Sequence, residues 1–265
     1  MTESAAPGGG SLAPRPAFVA AALAGLPVGS ESERTAAAAL ARDLPEYVEA
    51  QLETDVFRRR ALRELAQQRI CQIVVVGGGI CTAEVAVALT ARISAGARVA
   101  FVDDDRQISA HLRARLVGYG TTVAVTADLT NPDTVLDHPA LRDVIDLRAP
   151  VGLMLIGAVD RLAGRADTPS ILARYIRRLP AGSLLAVTAG TLDGLPDTDR
   201  ARWHHHTRHH LPHAGISAAD FAAALEGLDL LGPGITAARD WTPGHDARAH
   251  PAAVPRVYAA IGRTR

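Results

Sequence analysis

The stretch QIVVVGGGICTAEVAVALTARI, residues 72–93, decides the fold of this 265-residue chain. Its first part, QIVVVG (72–77), is typical of a buried β-strand, and TAEVAVALTARI (82–93) is typical of a helix. Three glycines, at positions 77–79, lie between them. A strand, a glycine turn and a helix in this order open a parallel α/β sheet, and such sheets bind ligands at the carboxyl ends of their strands.

The same alternation of strands and helices continues to the C-terminus. Further apolar, strand-like runs lie at residues 98–103, 121–126, 151–157, 183–188, 228–232 and 257–262. Strands that are apolar on both faces and alternate with helices indicate a parallel sheet that is covered on both sides. Five strand–helix pairs and two closing strands therefore predict one open, doubly wound, Rossmann-like α/β sheet.

The region before this sheet has a different pattern. Residues 1–16 are rich in Gly, Pro, Ala and Ser, and we expect them to form a disordered tail. Residues 17–68 are expected to form a helical extension that covers the ligand crevice as a lid. Residues 69–265 are then the ligand-binding domain.

Local signals place two helices in that extension. Ser30 and Glu33 have the spacing of a capping box before the first helix. Asp43 and Glu46 repeat this spacing before the second helix. We expect the arginine run 58–60 in the second helix to form a solvated face.

Composition excludes several classes of function. Twenty-eight basic residues balance 28 acidic residues, so no basic excess indicates binding to nucleic acid or to an anionic membrane. Every basic residue is Arg, and the lack of Lys excludes Schiff-base chemistry and a Walker-type phosphate site. Two cysteines, Cys71 and Cys81, cannot form a disulfide framework, which favours a cytoplasmic location. The uncharged stretch 16–30 is too short to span a bilayer.

The ends of the first four strands supply the candidate ligand-binding residues. They are Gly77, Gly78, Gly79, Thr82, Asp103, Asp104, Asp128, Leu129 and Gly157. Glycines let the backbone approach a ligand closely, and Thr82 can cap the helix that follows them. Asp103 lies 26 residues after Gly77, where an acid accepts hydrogen bonds from both hydroxyls of a ribose. Such an acid occurs in sheets that bind NAD and in sheets that bind S-adenosylmethionine, so it does not distinguish between them.

The remaining positions favour the second cofactor. A dinucleotide fingerprint requires a small residue where this chain has Thr82, and no arginine is evident that would bind a pyrophosphate. At the end of the third strand, Asp128 can accept from an adenine amino group while Leu129 lies against the ring. The three strand ends therefore form one crevice suited to a methionine moiety, a ribose and an adenine.

These residues resemble a known family. The blocks that carry the resemblance are FRRRALRELA (57–66), GGGICTA (77–83), VAFVDDD (99–105), ADLTNP (127–132), VGLMLIGAV (151–159), LPAGSLLAVT (179–188), SAADFAAALEGLDLLGPGI (217–235) and the ending VYAAIGR. The chain is similar to the actinobacterial S-adenosyl-L-methionine-dependent methyltransferases that were once catalogued as a domain of unknown function. The resemblance implies a class I methyltransferase sheet of seven strands with the last strand antiparallel, and S-adenosyl-L-methionine as cofactor. Our leading hypothesis is methyl transfer from this cofactor to a small-molecule acceptor.

The chain also departs from that family. Members usually carry an acid where this chain has Val75, and that acid helps to hold the amino group of the cofactor. A tyrosine-rich segment is replaced by FVAAALAGLPVG (18–29), and Asp160-Arg161 replaces a His followed by an aromatic residue or Leu. Either the chain methylates a different acceptor, or it has lost activity and binds its cofactor or a protein partner. Catalytic residues, acceptor and oligomeric state are not given by the sequence.

Three further features have functional alternatives. Six histidines lie in WHHHTRHHLPH (203–213), where pairs four residues apart can bind a metal, although a solvated helix face is expected and we assign no metal site. Asp160 can act as a general base or remain a solvated loop acid. Trp203 and Trp241 can line an acceptor pocket, although packing in the core or in the lid is expected for both.

Overall fold

The central sheet is the feature that organises this protein. The computed structural model describes residues 14–27, 29–80, 97–118, 121–162, 167–210, 215–244 and 256–265. The predicted helix at 82–93 and nearly all of the predicted tail lie outside these residues. The strands are β1 (Gln72–Val76), β2 (Arg98–Asp103), β3 (Thr122–Thr126), β4 (Gly152–Leu155), β5 (Leu184–Gly190), β6 (Leu228–Leu230), β7 (Thr236–Ala237) and β8 (Val257–Thr264).

The strand order confirms the predicted sheet. Neighbouring strands follow the order β3-β2-β1-β4-β5-β8-β6, and β1 to β5 are all parallel. The last strand, β8, is antiparallel to both β5 and β6, as the resemblance implied. The two-residue strand β7 also pairs with β8, and the sequence analysis did not predict it.

Helices cover both faces of the sheet. They are α1 (Pro16–Leu23), α2 (Glu31–Asp43), α3 (Pro45–Gln67), α4 (Arg106–Arg115), α5 (Pro132–Leu136), α6 (Pro139–Arg142), α7 (Val159–Leu162), α8 (Thr168–Arg178), α9 (Asp197–His210) and α10 (Ala218–Ala224). Ile73 and Val75 of β1 pack on the side of α3 and α4, whereas Val74 and Val76 pack on the side of α8. This burial on both faces explains why the strands are almost continuously apolar.

The N-terminal region contains three helices, of which two were predicted. Ser30 begins α2 with the predicted capping box, because its hydroxyl accepts from the Glu33 N–H while its own N–H donates to Glu33 Oε2 at 2.6 Å. The second predicted cap is wrong: Asp43 is the last residue of α2, and Leu44 precedes the first turn of α3. Pro45 opens α3 at a position where a helix needs no N–H donor.

The helix α1 was not predicted as an element. It buries Phe18, Val19 and Ala21, and Val19 packs with the α2 and α3 residues Leu40 and Tyr47. Within the described part of the chain, none of the helices has the length and apolar character that crossing a membrane requires.

Candidate functional site

The glycine turn lies directly at the carboxyl end of β1. Gly77 has φ +64°, and its N–H donates to the Val102 carbonyl at 2.8 Å. A Cβ on Gly77 would lie 2.9 Å from the Cβ of Ala158 and 3.0 Å from the Leu129 side chain. A larger residue is therefore excluded twice, by the left-handed backbone conformation and by the close approach of Ala158 and Leu129.

An open cavity lies between this turn and the N-terminal helices, and its empty space together with the solvent at its mouth is about 820 Å³. Its lining residues come from α1, α3, the glycine turn and the segment after β4, and are Pro16, Ala17, Ala20, Ala24, Tyr47, Ala50, Gln51, Thr54, Asp55, Arg58, Gly77, Gly78, Gly79, Ile80, Ile156, Gly157, Asp160, Arg161 and Val257. The glycines Gly77, Gly78, Gly79 and Gly157 of the predicted site thus share one cavity.

The predicted ribose acid lies beside this cavity but is covered by an arginine. Asp103 ends β2 and is only 1% exposed. Arg161 Nη1 donates to Asp103 Oδ2 at 2.9 Å, and Arg161 Nη2 donates to Asp103 Oδ1 at 3.0 Å. The same guanidinium donates to the Gly77 carbonyl at 3.3 Å and forms an ion pair with Asp104. Arg161 lines the cavity, whereas Asp103 is not among the described residues that do so.

This cluster keeps Arg161 charged. Burial opposes the charged form of the guanidinium, but the hydrogen bonds and negative charges of Asp103, Asp104 and Asp105 outweigh it and raise the pKa of Arg161. The Asp105 N–H also donates to Asp103 Oδ1 at 3.0 Å. Two carboxylates therefore share one guanidinium at the end of β2, which is the geometry of a strong, charge-assisted pair.

The end of β3 places its two predicted residues in different environments. Asp128 is exposed, and its Oδ1 accepts from the N–H and the hydroxyl of Thr130 at 3.0 and 2.8 Å. Leu129 is fully buried, and its side chain packs beneath the glycine turn. The Leu129 carbonyl accepts from the Tyr175 hydroxyl at 3.0 Å, and burial raises the pKa of Tyr175. The backbone of this loop is thus fixed from below by α8.

The ends of β4 and β5 are joined through polar contacts at the cavity. Gly157 has φ +75°, and its N–H donates to the buried Thr188 hydroxyl at 2.9 Å. Asp160 lines the cavity, and its Oδ1 accepts from the Gly190 N–H at 2.7 Å. This hydrogen bond fixes one oxygen of Asp160 to β5, so Asp160 is a held acid in the cavity wall rather than a solvated loop acid.

The polar face of α3 contributes two charged residues that sequence analysis did not identify. Arg58 was expected on a solvated face, but its side chain is only 6% exposed and lines the cavity together with Asp55. The two side chains form an ion pair one turn apart on the helix. Arg59 alone of the run 58–60 is exposed, because Arg60 donates to two backbone carbonyls in the segment after β7.

Several other predicted residues lie away from the cavity or outside the described residues. Thr82, Cys81 and His213 lie outside the described residues. His204–His206 belong to α9, where His204 and His205 are exposed and the rings of His205 and His206 meet edge-on at 5.2 Å. Trp203 packs against Tyr47 with ring centroids 5.9 Å apart, and Trp241 meets Phe57 edge-on at 5.4 Å. Both tryptophans are core residues, as expected.

Comparison with known proteins places this geometry in context. A family model described as S-adenosyl methyltransferase matches residues 28–265. No protein among the curated proteins matches the sequence.

Solved structures of methyltransferases and related proteins are also similar to this chain. The chain is 27% identical to a candidate methyltransferase from Thermobifida fusca, with a TM-score of 0.85 over 96% of both chains. It is 26% identical to a DUF574 family protein from Streptomyces avermitilis, with a TM-score of 0.83 over 96% of this chain and 98% of the other. An O-methyltransferase family protein from Burkholderia thailandensis, 14% identical with a TM-score of 0.51, shares the fold over 89% of this chain and 63% of its own.

Proposed function

Because this chain belongs to the S-adenosyl methyltransferase family, whose methyl donor is S-adenosyl-L-methionine, we propose that it moves a methyl group from that donor to a small organic acceptor. The observation that carries the proposal is the open cavity at the glycine turn, walled by the ends of β1 and β4 and by two N-terminal helices. This is the crevice in which open α/β sheets bind nucleotide-like ligands.

The residues at the crevice fit the cofactor in shape and in donor set. A glycine turn without side chains leaves its backbone open to a ligand, and a Cβ at Gly157 would meet no atom within 4 Å. Asp103 offers a buried carboxylate for the ribose, and the exposed Asp128 can accept from the adenine amino group. The Asp103 carboxylate is engaged by Arg161, so this contact has to be exchanged when the ribose binds.

Two residues on α3 can hold the amino-acid end of the cofactor. An α-amino acid carries one ammonium and one carboxylate group, and α3 presents one carboxylate and one guanidinium to the cavity, from Asp55 and Arg58. This pair can take the place of the acid that Val75 replaces in β1. Val75 itself is buried in the core and offers no polar group.

The acceptor side of the cavity favours a small molecule. Bound S-adenosylmethionine supplies an electrophilic methyl group on a sulfonium sulfur. Ala17 and Ala20 of α1, together with Ala24 directly after it, supply an apolar part of the cavity wall, and α3 supplies a polar part. One oxygen of Asp160 is held by the Gly190 N–H. The Asp160 carboxylate can take a proton from a hydroxyl or amine of the methyl acceptor, or can orient an acceptor amine by a hydrogen bond from its N–H.

The Arg161–Asp103 contact also favours a second candidate function. A chain whose ribose acid is permanently covered would bind the cofactor weakly and would act as a catalytically degenerate relative. Such a protein would bind S-adenosylmethionine, S-adenosylhomocysteine or a protein partner without turnover.

Isothermal titration distinguishes these functions. Metal-free protein is titrated with S-adenosylmethionine and, separately, with S-adenosylhomocysteine. We expect saturable binding that is weakened at least tenfold in Asp103→Ala, followed by release of S-adenosylhomocysteine when a suitable acceptor is supplied. Saturable binding without turnover across a broad acceptor panel would favour the degenerate function. No binding at millimolar ligand would contradict both cofactor-dependent functions.

A further inference from the structure

The covered ribose acid leads to an inference that rests on the proposed cofactor but concerns this chain's own residues. A carboxylate has about four acceptor positions for hydrogen bonds. At Asp103, Arg161 takes one position on each oxygen, and the Asp105 N–H takes a second position on Oδ1. Two ribose hydroxyls need two positions, and one is left.

The ligand and Arg161 therefore compete for the same carboxylate. A hydrogen bond in which both partners are charged is roughly twice as strong as one between neutral groups, and the ribose hydroxyls are neutral donors. The guanidinium also stands between the cavity and Asp103, which is 1% exposed. The ribose cannot reach Asp103 until Arg161 has moved.

Asp104 is an alternative ion-pair partner for Arg161. This residue is already paired with Arg161 Nη2, and its side chain is 19% exposed, so it lies nearer to solvent than Asp103. A guanidinium that releases Asp103 can stay paired with Asp104. The charge of Arg161 then remains compensated while Asp103 becomes available.

We propose that Arg161 controls the affinity of the nucleoside part of the crevice by competing with the ribose for Asp103. In the closed arrangement Arg161 bridges Asp103 and Asp104, and in the open arrangement it pairs with Asp104 alone. The apparent dissociation constant is then the intrinsic constant divided by the fraction of molecules in the open arrangement. A closed arrangement that is favoured tenfold leaves one molecule in eleven open and weakens binding about elevenfold.

Substitution of Arg161 by Leu tests this competition in the full-length protein. Arg161→Leu is titrated with S-adenosylhomocysteine, with adenosine and with 2′,3′-dideoxyadenosine, which lacks both ribose hydroxyls. We expect a gain of at least tenfold over wild type, equivalent to about 1.4 kcal/mol, for the first two ligands and none for the dideoxynucleoside. Arg148→Leu is the matched control, because Arg148 forms a bidentate pair with Asp146 at the opposite end of the sheet.

Each of the other outcomes would contradict the proposal that Arg161 competes with the ribose for Asp103. An equal gain for dideoxyadenosine would mean that Arg161 obstructs the cavity without competing at Asp103. Unchanged affinity in Arg161→Leu, with a wild type that binds S-adenosylhomocysteine, would remove the inference and leave the proposed function intact. If neither wild type nor Arg161→Leu bound S-adenosylhomocysteine, both the inference and the proposed function would be contradicted.

A measurement on the wild type keeps the test independent of whether Arg161→Leu folds. In a crystal structure with S-adenosylhomocysteine bound, we expect Arg161 to have left Asp103 and to remain within hydrogen-bonding distance of Asp104. A ribose bound at Asp103 with Arg161 still bidentate on that carboxylate would overturn the proposal.

Discussion

At the scale of single residues, Arg58 is the side chain whose role we can test most directly. It is buried at the cavity wall beside Asp55, and we propose that it meets the carboxylate of the cofactor's amino-acid end. Arg58→Met keeps the length of the side chain and removes its charge. We expect at least a tenfold loss of affinity for S-adenosylhomocysteine and no change for 5′-methylthioadenosine, which lacks the amino-acid group, both measured by titration calorimetry.

Arg59→Met is the control for that substitution. It removes the same charge one position along the helix, from an exposed side chain. Equal losses in the two variants would indicate a general effect of charge on α3. An equal loss for both ligands in Arg58→Met would place Arg58 away from the amino-acid end.

Single residues also show where sequence analysis reached the site and where it did not. Asp103 and the glycine turn could be predicted, because their places follow from local order at the ends of β1 and β2. Arg161 could not be paired with Asp103, because the contact joins residues 58 positions apart and depends on how α7 lies against β2. The position of Arg58 in the cavity wall follows from the geometry of α3.

At the scale of elements, rotation about a helix decides which side chain reaches the cavity. Successive residues of an α-helix differ by about 100°. Three consecutive arginines therefore point in three directions, and the sequence does not give the direction of the cavity. The helix α1 was missed for a related reason: its uncharged, alanine-rich sequence has no cap or charge pattern that marks a helix, and its burial against α2 comes from tertiary packing.

The wall formed by α1 yields a prediction about the cavity. Ala20 lines the cavity and is half-buried, so Ala20→Phe places a large ring in the ligand space. We expect at least a tenfold weaker affinity for S-adenosylhomocysteine, with a melting temperature within a few degrees of wild type. Ala38→Phe adds the same ring to an exposed position of α2 and is expected to leave affinity unchanged. Unchanged affinity in Ala20→Phe would show that α1 is not part of the binding cavity.

The junction of α1 and α2 predicts a pH dependence. Burial opposes the charge of Glu33, but hydrogen bonds from Arg15 and Ser30 outweigh it and lower its pKa from the ordinary value of 4.5. A carboxylate with a lowered pKa in the folded state stabilises the fold above its ordinary pKa, and this contribution is lost as the pH falls through the folded-state value. We therefore expect the free energy of unfolding to fall more steeply in wild type than in Glu33→Gln between about pH 5 and pH 3.

Urea unfolding over that range measures the difference. Glu33→Gln keeps the shape of the side chain and an oxygen that can accept from the Ser30 N–H, so the capping geometry is preserved. Parallel pH profiles for the two proteins would contradict the assigned role of the ion pair. The difference between the two proteins is expected to be largest and constant above about pH 6 and to shrink as the pH falls toward 3.

At the scale of the whole molecule, the position of the cavity links ligand binding to global stability. Four parallel strands, β3, β2, β1 and β4, present their carboxyl ends at the proposed cofactor crevice, and β1 and β2 lie inside the sheet. Their residues belong to both large core clusters. A ligand that binds only the folded crevice therefore stabilises the whole fold against unfolding.

Thermal unfolding reports that stabilisation and tests the choice of cofactor in one measurement. At a free ligand concentration of 100 times the dissociation constant, binding adds about 2.7 kcal/mol. For a chain of this size each kcal/mol raises the melting temperature by roughly 2–4 °C, so we expect a rise of about 5–10 °C with S-adenosylhomocysteine. NADH at the same concentration is expected to leave the melting temperature unchanged. A rise with NADH alone would mean that the acid at the end of β2 holds the ribose of a dinucleotide. Because both cofactors would use this same carboxylate, the choice between them would then depend on the other residues of the crevice.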